Sequence, residues 1–484
     1  MIIDGVPFGE YAHVQSSLGW RSMEAFFAFL ERKTGTTILF DRRRFPFGRA
    51  DLAEVHRIAS LMHGAKIIDS YNRLASLLPD EPPIKSWTCR LTNRQESEEK
   101  NTGGASADSD ADALYAALAE ALERYLWYTQ TDYFVKPIRT TTVGIARRGR
   151  YIPPERFMGF SAEQRALDPK LTLAPDATYL WIQGTSLQSG KKVYVPAQVV
   201  SAAARSREKS HREPLIKMVT TIGLATWPEQ NEARLRGALE CIERDAYTIL
   251  WLNQLTLPRI SLGSLRKKNP ALDLLLARSE RYGLKIHVIQ LLTDAPAHAI
   301  LAVAEDARGH APRFAFGLKA HRSLPHAIEK AVLEALRARR RSRVDAARGK
   351  TWDARTPVEK IGHSERTLYW AEKYNAEKLT WITRGNEIEA VAAPWESDTS
   401  DKHLERIIAW CRTKNYECVA LSHGTSKANP TKWHVEMIVM PDLQPAYLYE
   451  WMRHVTGPRL TAIPRQFGYK PRETPYLEGP HPFA

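Results

Sequence analysis

Cysteine is scarce in this 484-residue chain: four residues, Cys89, Cys241, Cys411 and Cys418, none in a spacing that suits zinc. A disulfide scaffold is thereby excluded, and reduced thiols are expected. Long apolar runs are also missing. No window approaches the roughly eighteen apolar residues that span a bilayer, and Met1-Ile-Ile-Asp-Gly-Val-Pro-Phe carries no basic segment followed by an apolar core. A soluble cytoplasmic protein without membrane attachment is the expectation. No Gly-x-x-x-x-Gly-Lys-Ser/Thr loop is present, so nucleotide chemistry of the P-loop type has no support. The fifteen histidines form no His-x-x-x-His or His-Glu-x-x-His pair, and no serine sits in a Gly-x-Ser-x-Gly elbow. Zinc hydrolysis and acyl-enzyme chemistry fall with them.

Against these absences stand 43% apolar and 9% aromatic residues, the composition of a folded chain, and a surplus of 69 Lys+Arg over 55 Asp+Glu. A charge of +14 suggests a phosphate-bearing or polyanionic partner. The surplus is concentrated. Arg337, Arg339, Arg340, Arg341, Arg343, Arg348 and Lys350 face a single acid, Asp345, within fourteen residues. Alone, that run reads as a solvated helix face.

Apolar periodicity predicts helices around Met23 to Leu30 and Leu52 to Met62, and the proline-rich Leu78-Pro-Asp-Glu-Pro-Pro-Ile breaks the pattern after them. The polar stretch from Gln95 to Asp112, around Gly103-Gly104, reads as a boundary or an exposed loop. Tyr179 to Val200 predicts strand, turn, strand, and the basic segment Arg205 to Arg212 a mobile loop. Short β-branched runs at Leu284–Leu292, Ala299–Val303, Cys418–Leu421 and Val435–Met440 predict buried strands. Helices alternate with them, so the class is α/β or mixed α+β.

The chain also repeats itself. Ala117-Leu-Ala-Glu-Ala-Leu-Glu-Arg124 returns as Ala238-Leu-Glu-Cys-Ile-Glu-Arg244, with Glu120/Glu240, Glu123/Glu243 and Arg124/Arg244 in register. A fainter copy, Ala331-Val-Leu-Glu-Ala-Leu-Arg337, keeps Glu334 at the first acidic position and has Arg337 at the second. In the first copy Leu114, Leu118, Ala121, Leu122 and Tyr125 form the apolar stripe and both acids lie off it, as an exposed Glu-to-Arg ion pair would. The second copy differs. Around an origin at Leu239, Glu232 falls at about 20°, Glu243 at about 40° and Glu240 near 100°, alongside Leu235, Ile242 and Ala246. Carboxylates on an apolar face need a cation, and magnesium takes a few carboxylates plus nucleotide phosphates. Polar networks between helices satisfy the same spacing, and the residues alone leave both readings open.

Thr220-Thr-Ile-Gly-Leu-Ala225, then Glu232-Ala and Ala238-Leu-Glu-Cys-Ile-Glu-Arg-Asp-Ala246, resemble the YcaO family. Gly103-Gly-Ala-Ser106 leading to Ala117–Tyr125, the approach Val195-Pro-Ala197, and Pro325–Arg339 extend the resemblance from about residue 60 to the end. It implies pseudo-repeated acidic helices packed on β-sheets around an ATP site. Glu120, Glu123, Glu232, Glu240 and Glu243 would hold magnesium. Arg244 would meet phosphate, with Ser106, Glu334, Arg337 and Arg339 also on the nucleotide side. The chain departs from the family pattern at Ala116, Thr221-Ile222 and Arg337. Residues 1–60 are expected to form an N-terminal extension for partner docking, and residues 61–484 the catalytic domain.

Members of the azoline-forming branch let a Cys, Ser or Thr side chain attack the preceding amide of a ribosomally made peptide. ATP phosphorylates the resulting oxyanion, and phosphate leaves to give a thiazoline or oxazoline. The terminus Gly479-Pro-His-Pro-Phe-Ala484 resembles that branch's proline-rich tail, ending in Ala instead of Pro, and implies roles at the reacting centre for Pro482 and Ala484. The partners implied are the precursor peptide, a ThiF-like leader-binding protein and an FMN-dependent dehydrogenase, around a homodimer in a larger complex serving azole-containing antibiotic synthesis. Alternatives are a family member that forms thioamides or amidines, and a basic nucleic-acid or ribosome-associated binder, for which no module is visible.

Overall fold

The computed structural model describes residues 2–3, 6–7, 51–74, 78–92, 101–129, 137–174, 176–201, 213–362, 365–423 and 429–483. The helix expected at Met23–Leu30, the loop at Arg205–Arg212 and the terminal Ala484 lie outside these residues. The architecture is mixed α/β.

Helix α1 (Leu52–Gly64) starts where Asp51 accepts from the Ala53 amide, and it buries Val55, Ile58, Ala59 and Met62, the one-face spacing of an amphipathic helix. It runs through the expected boundary at residue 60. The same core takes in Leu114, Leu118 and Leu122, so the break between extension and domain cannot fall there. Strands β1 (Ile68–Arg73), β2 (Lys85–Leu91) and β3 (Asn101–Ser106) form an antiparallel sheet. The expected exposed loop at Gly103-Gly104 is thus a strand, with Thr102, Gly104 and Ser106 buried. The glycine is required by close approach: a Cβ on Gly104 would run into Ala113 O and lie 2.6 Å from Ala117 N of the following helix, α2 (Asp110–Thr129).

A six-stranded antiparallel sheet comprises β4 (Ile138–Thr141), β5 (Thr178–Ser186), β6 (Lys192–Pro196), β7 (Leu224–Trp227), β13 (Val419–Ser422) and β14 (His434–Val439). Its path is β4-β5-β13-β14-β7, with β6 paired to β5. A five-stranded sheet runs β11-β10-β9-β8-β12, from β8 (Arg259–Ile260), β9 (Leu284–Gln290), β10 (His298–Asp306), β11 (Phe314–His321) and β12 (Glu387–Ile388). The four strands expected from β-branched runs are β9, β10, β13 and β14, and the strand pair around Ser189-Gly190 is β5 and β6.

The near-continuous apolar β10 is explained by burial on both faces. Ala299, Leu301 and Val303 meet helix α3 (Gln230–Asn253) in one core, while Ile300, Ala302 and Ala304 join helices α4 (Pro270–Arg281) and α5 (Leu324–Ala347) in another. Helix α3 therefore lies between the two larger sheets, with α2 and α5 flanking it through adjoining strands. Among the described residues no helix is long and apolar enough to cross a membrane.

Candidate active site

Three strand-to-helix units carry the repeat: β3 into α2, β7 into α3, and β11 into α5. Within each, the first acid accepts a hydrogen bond from an amide of its own unit's strand segment. Glu120 takes Gly103 N at 3.0 Å, Glu240 takes Gly223 N at 3.0 Å, and Glu334 takes Leu318 N at 2.8 Å. The residue one turn further reaches the next unit. Glu123 accepts from Thr226 N and Glu243 from Ala320 N, each at 2.7 Å. Arg337 closes the circuit by donating from Nη2 to Gly103 O at 3.0 Å. The three helices are thus stitched in a ring, and their carboxylates form a continuous row.

That row is electrostatically costly. Burial lifts Glu123 from 4.5 to about 8, with Glu120 and Glu240 pushing further and Arg124 opposing. Burial also raises Glu240, against Arg244 and with Glu243. Glu334 rises to about 7 through burial and Glu243, Arg244 opposing. Burial works against the charge on Arg244, but Glu243, Glu240 and Glu334 outweigh it, and its pKa is raised. Its ion pairs are long, 3.5 Å to Glu243 and 3.7 Å to Glu240, and its buried Nε has no hydrogen-bond partner among the described residues. The row stays open to solvent on one side, with 35% of the Glu120 side chain and 26% of Glu240 accessible.

A hard divalent cation fits this donor set, since it relieves the carboxylates with the oxygen ligands it prefers. Among the described residues no group of three or more His, Cys, Asp or Glu is close enough to hold a metal unaided.

Glu232 stands apart from the row, bonded to Arg236 Nε at 2.8 Å with Arg322 at 4.0 Å. Arg236 also lies 3.8 Å over the Trp227 ring. With Lys319 and Lys330 these arginines make a cationic wall that reinforces the effect of burial in holding His326 down to about 3. Sequence reading missed this wall, although Arg236, four residues after Glu232, was the legible part of it. Ser106 is buried at the end of β3, where Oγ accepts from Ser109 N at 3.3 Å and shapes the turn into α2.

Arg339 does not reach the site. Fully buried, it donates to Glu81 at 2.9 Å, Asp306 at 2.8 Å and Pro312 O at 2.7 Å, so its donors serve the core and not a phosphate. Arg343 joins Asp80 and Glu81, and Lys350 joins Asp345. Within the basic run Arg339 is therefore core and Arg343 paired and half-buried, contrary to the expected solvated face, whereas Arg337, Arg341, Arg348 and Lys350 stay exposed as that face would be.

The C-terminal tail ends beside Arg244, whose guanidinium lies 4.2 Å over the Phe483 ring. Pro482 and Phe483 are buried. Arg453 holds the carbonyls of Leu477 (2.8 Å) and Gly479 (3.3 Å), and Trp370 Nε1 that of Pro480 (3.0 Å). The buried Arg366 pairs with Glu450 at 2.9 Å and donates to Phe483 O at 3.3 Å.

The family model described as "YcaO cyclodehydratase, ATP- and Mg2+-binding" matches residues 104–444. Among solved structures, a heterocyclase in complex with substrate and cofactor superposes with a TM-score of 0.69 at 18% identity, covering 93% of this chain and 60% of that one. YcaO from Methanopyrus kandleri, bound with AMPPCP and Mg2+, gives 0.58 at 16% identity, covering 84% and 93%. The E. coli microcin synthetase McbBCD complex with pro-MccB17 bound gives 0.54 at 17%, covering 77% and 87%. At such identities the likeness is one of fold. An uncharacterized protein of Methanothermobacter thermautotrophicus is 25% identical over 191 residues, 38% of this chain and 49% of that relative. The chain thus spans about half the length of this curated relative, and three fifths of the first heterocyclase.

Proposed function

The chain belongs to the YcaO family, whose cofactors are ATP and magnesium, and from that premise we propose that it is a peptide cyclodehydratase. Its substrate would be a ribosomally made precursor whose Cys, Ser or Thr residues become thiazolines or oxazolines, toward an azole-containing antibiotic. One observation supports this reading: the row of buried carboxylates, in excess over its cations, meets Arg244, and Phe483 of the tail packs on the same guanidinium.

When bound, magnesium-ATP supplies the phosphoryl group that makes an amide oxygen a leaving group. Glu120, Glu123, Glu240 and Glu243 would hold the metal, and Arg244 a phosphate oxygen. Glu232, neutralised by Arg236, orients that arginine and the cationic wall behind it. The tail, tied by Arg366, Arg453 and Trp370, excludes water from the Arg244 side and brings Pro482 toward the reacting peptide, and a role there is proposed for Ala484 as well. A ThiF-like leader-binding protein and an FMN-dependent dehydrogenase are the partners proposed, with the segment before Leu52 as docking surface and a homodimer as the assembly unit.

The test is incubation with precursor, leader-binding partner and magnesium-ATP. Loss of one water mass per ring is expected. Unchanged peptide with intact ATP refutes the reading, and an oxygen-to-sulfur mass change redirects it to a thioamide. Burial of Arg339 and pairing of Arg343 speak against a nucleic-acid binder, for which steeply salt-dependent RNA or DNA binding without ATP turnover would be found.

A further inference from the structure

A second concentration of positive charge lies away from the acidic row, where three segments meet. Arg147-Arg-Gly-Arg150, Gln188-Ser-Gly-Lys-Lys192 and Cys411-Arg-Thr-Lys-Asn-Tyr-Glu417 together hold seven basic residues and one acid. Specific contacts draw them into one face. Arg150 O accepts from Tyr194 N of β6 at 2.9 Å, Arg412 Nη2 donates to Gln188 O at 2.8 Å, and Arg150 pairs with the single acid, Glu417. Helix ends explain part of the charge: Arg412 and Lys414 sit in the last turn of the helix Ser400–Lys414, where cations offset the dipole, and Lys414 pairs with Asp294 at 2.9 Å. They do not explain the rest. Arg147, Arg148 and Lys191 are exposed and make no hydrogen bond or ion pair among the described residues, and Lys192 donates to Thr185 Oγ1 at 3.2 Å without meeting a carboxylate. Val143, one helical turn before Arg147, adds an apolar side chain that is 60% exposed.

The face adjoins the proposed reacting centre. Glu417 N donates to Asp442 Oδ2 at 2.7 Å, and two residues further on Gln444 N donates to Asp245 Oδ1 at 2.8 Å, next to Arg244 on α3. The same segment runs on to Tyr447, whose carbonyl lies 2.7 Å from His481 Nε2 of the tail, and to Glu450, which pairs with Arg366. A chain lying on the face is thus led toward the end of the row at which Arg244 meets the tail. The nearby aromatic rings are turned inward, Tyr151 edge-on to Trp181 and Tyr416 edge-on to Trp410. The face therefore offers charge and one apolar side chain, and not the stacking platform that single-stranded nucleic acid uses.

We propose that this face docks an acidic stretch of the precursor peptide, outside the residues to be cyclised, with Val143 receiving an apolar side chain beside it. Free cations at a rim steer encounter and fix register, so the face acts on capture of the peptide and not on the chemical step. The identity of the occupant rests on the cyclodehydratase reading; the preference for an acidic peptide rests on the charges themselves.

The probe is fluorescein-labelled decaglutamate, titrated with the full chain and followed by anisotropy at about 0.1 M salt, where charges more than about 10 Å apart are screened. Saturable binding that weakens with added salt is expected. An exposed ion pair is worth up to about fivefold in affinity, so the triple variant Arg147→Glu, Arg148→Glu, Lys191→Glu should bind at least about tenfold more weakly. Arg165→Glu, Lys373→Glu, Lys470→Glu makes the same change in net charge at exposed positions of other segments and should stay within about twofold of wild type. Cooperative unfolding and magnesium-AMPPCP affinity report that fold and acidic row are intact in both. No binding, or equal weakening in the two triple variants, overturns the inference, as does decathymidylate that displaces the probe at lower concentration than unlabelled decaglutamate. With precursor as substrate, the first variant should raise KM by at least about tenfold and leave kcat within about twofold. An unchanged KM in an enzyme that forms rings refutes docking at this face and leaves the cyclodehydratase reading standing. Decaglutamate binding that depends on the face, in a protein that never dehydrates peptide, overturns that reading and with it the occupant.

Discussion

Replacing Glu123 by Gln should remove a proton from the magnesium-nucleotide binding reaction. Burial and the carboxylates of Glu120 and Glu240 lift Glu123 from 4.5 to about 8, so at pH 7 about nine molecules in ten carry a proton there. Glu334, raised to about 7, is then about half protonated. Ligation to magnesium requires the ionised form and releases the proton. Binding of magnesium-AMPPCP at pH 7 should therefore release roughly one proton from Glu123 and up to about half of one from Glu334. Below pH 8 affinity should climb with pH, by up to about tenfold per unit for one linked proton. Stability of the metal-free protein runs the opposite way. A carboxyl raised on folding contributes fully below its unfolded value of 4.5, and that contribution is lost as pH rises through about 8, by about 1.4 kcal/mol per unit inside the window. Calorimetry in two buffers of different ionisation enthalpy counts the protons, and Glu123→Gln should show about one fewer than wild type. Equal heats in both buffers, or equal proton counts for the two proteins, refute the picture of a strained acidic row.

Other consequences arise from contacts at the edges of the site. Gly104→Ala drives a methyl into the backbone of α2 at Ala113 and Ala117, and should cost several kcal/mol and lower soluble yield; an unfolding midpoint within error of wild type would contradict that packing. Arg339→Met removes the buried cation shared by Glu81 and Asp306, which keep only the more exposed Arg343 and Arg308, and should cost roughly 1–3 kcal/mol, read in unfolding experiments and not in nucleotide affinity. Arg366→Met should free the tail, seen as new limited proteolysis beyond Tyr476 and a drop in ring formation, with magnesium-AMPPCP affinity within about twofold of wild type; an unchanged proteolytic pattern would show that the tail needs no such tie.

Why some of the site was legible in the sequence and some was not has a geometric cause. In α3 the wheel placed Glu232 and Glu243 along the apolar face and Glu240 at its margin, and side-chain exposure separates them the same way, 12% and 4% against 26% for Glu240. A single apolar stripe describes α3 well enough for that. In α2 it fails, because the strand β7 of the second unit lies against a side of the helix that no local pattern marks as covered. Glu123 therefore reads as an exposed ion-pair partner and is in fact bonded to Thr226 N. Gly103-Gly104 fails for a related reason. Glycine in a polar stretch signals a loop unless one knows that a helix comes close enough to need the missing Cβ. Arg339 was misplaced because its partners, Glu81 and Asp306, are distant in sequence and its buried position on α5 was not separable from the run of charge around it.

The replacement of the second acid by Arg337 in the third copy is the part of the repeat that sequence alone shows as a departure and the structure explains. Glu123 and Glu243 find strand amides that the first acids have left free, Thr226 N and Ala320 N. When the ring closes, α5 faces Gly103, whose amide is already taken by Glu120, and only its carbonyl remains. A carboxylate there would oppose a carbonyl oxygen, whereas a guanidinium donates to it. Arg337→Glu restores the repeat's sequence and should nonetheless destabilise the protein, by roughly 1–2 kcal/mol for the lost bond and the new repulsion, while Arg337→Met should cost about 1 kcal/mol or less at this exposed position. Chemical denaturation of the two variants beside wild type decides the matter. Arg337→Glu as stable as wild type would mean that the ring of strand and helix contacts is not closed through Gly103.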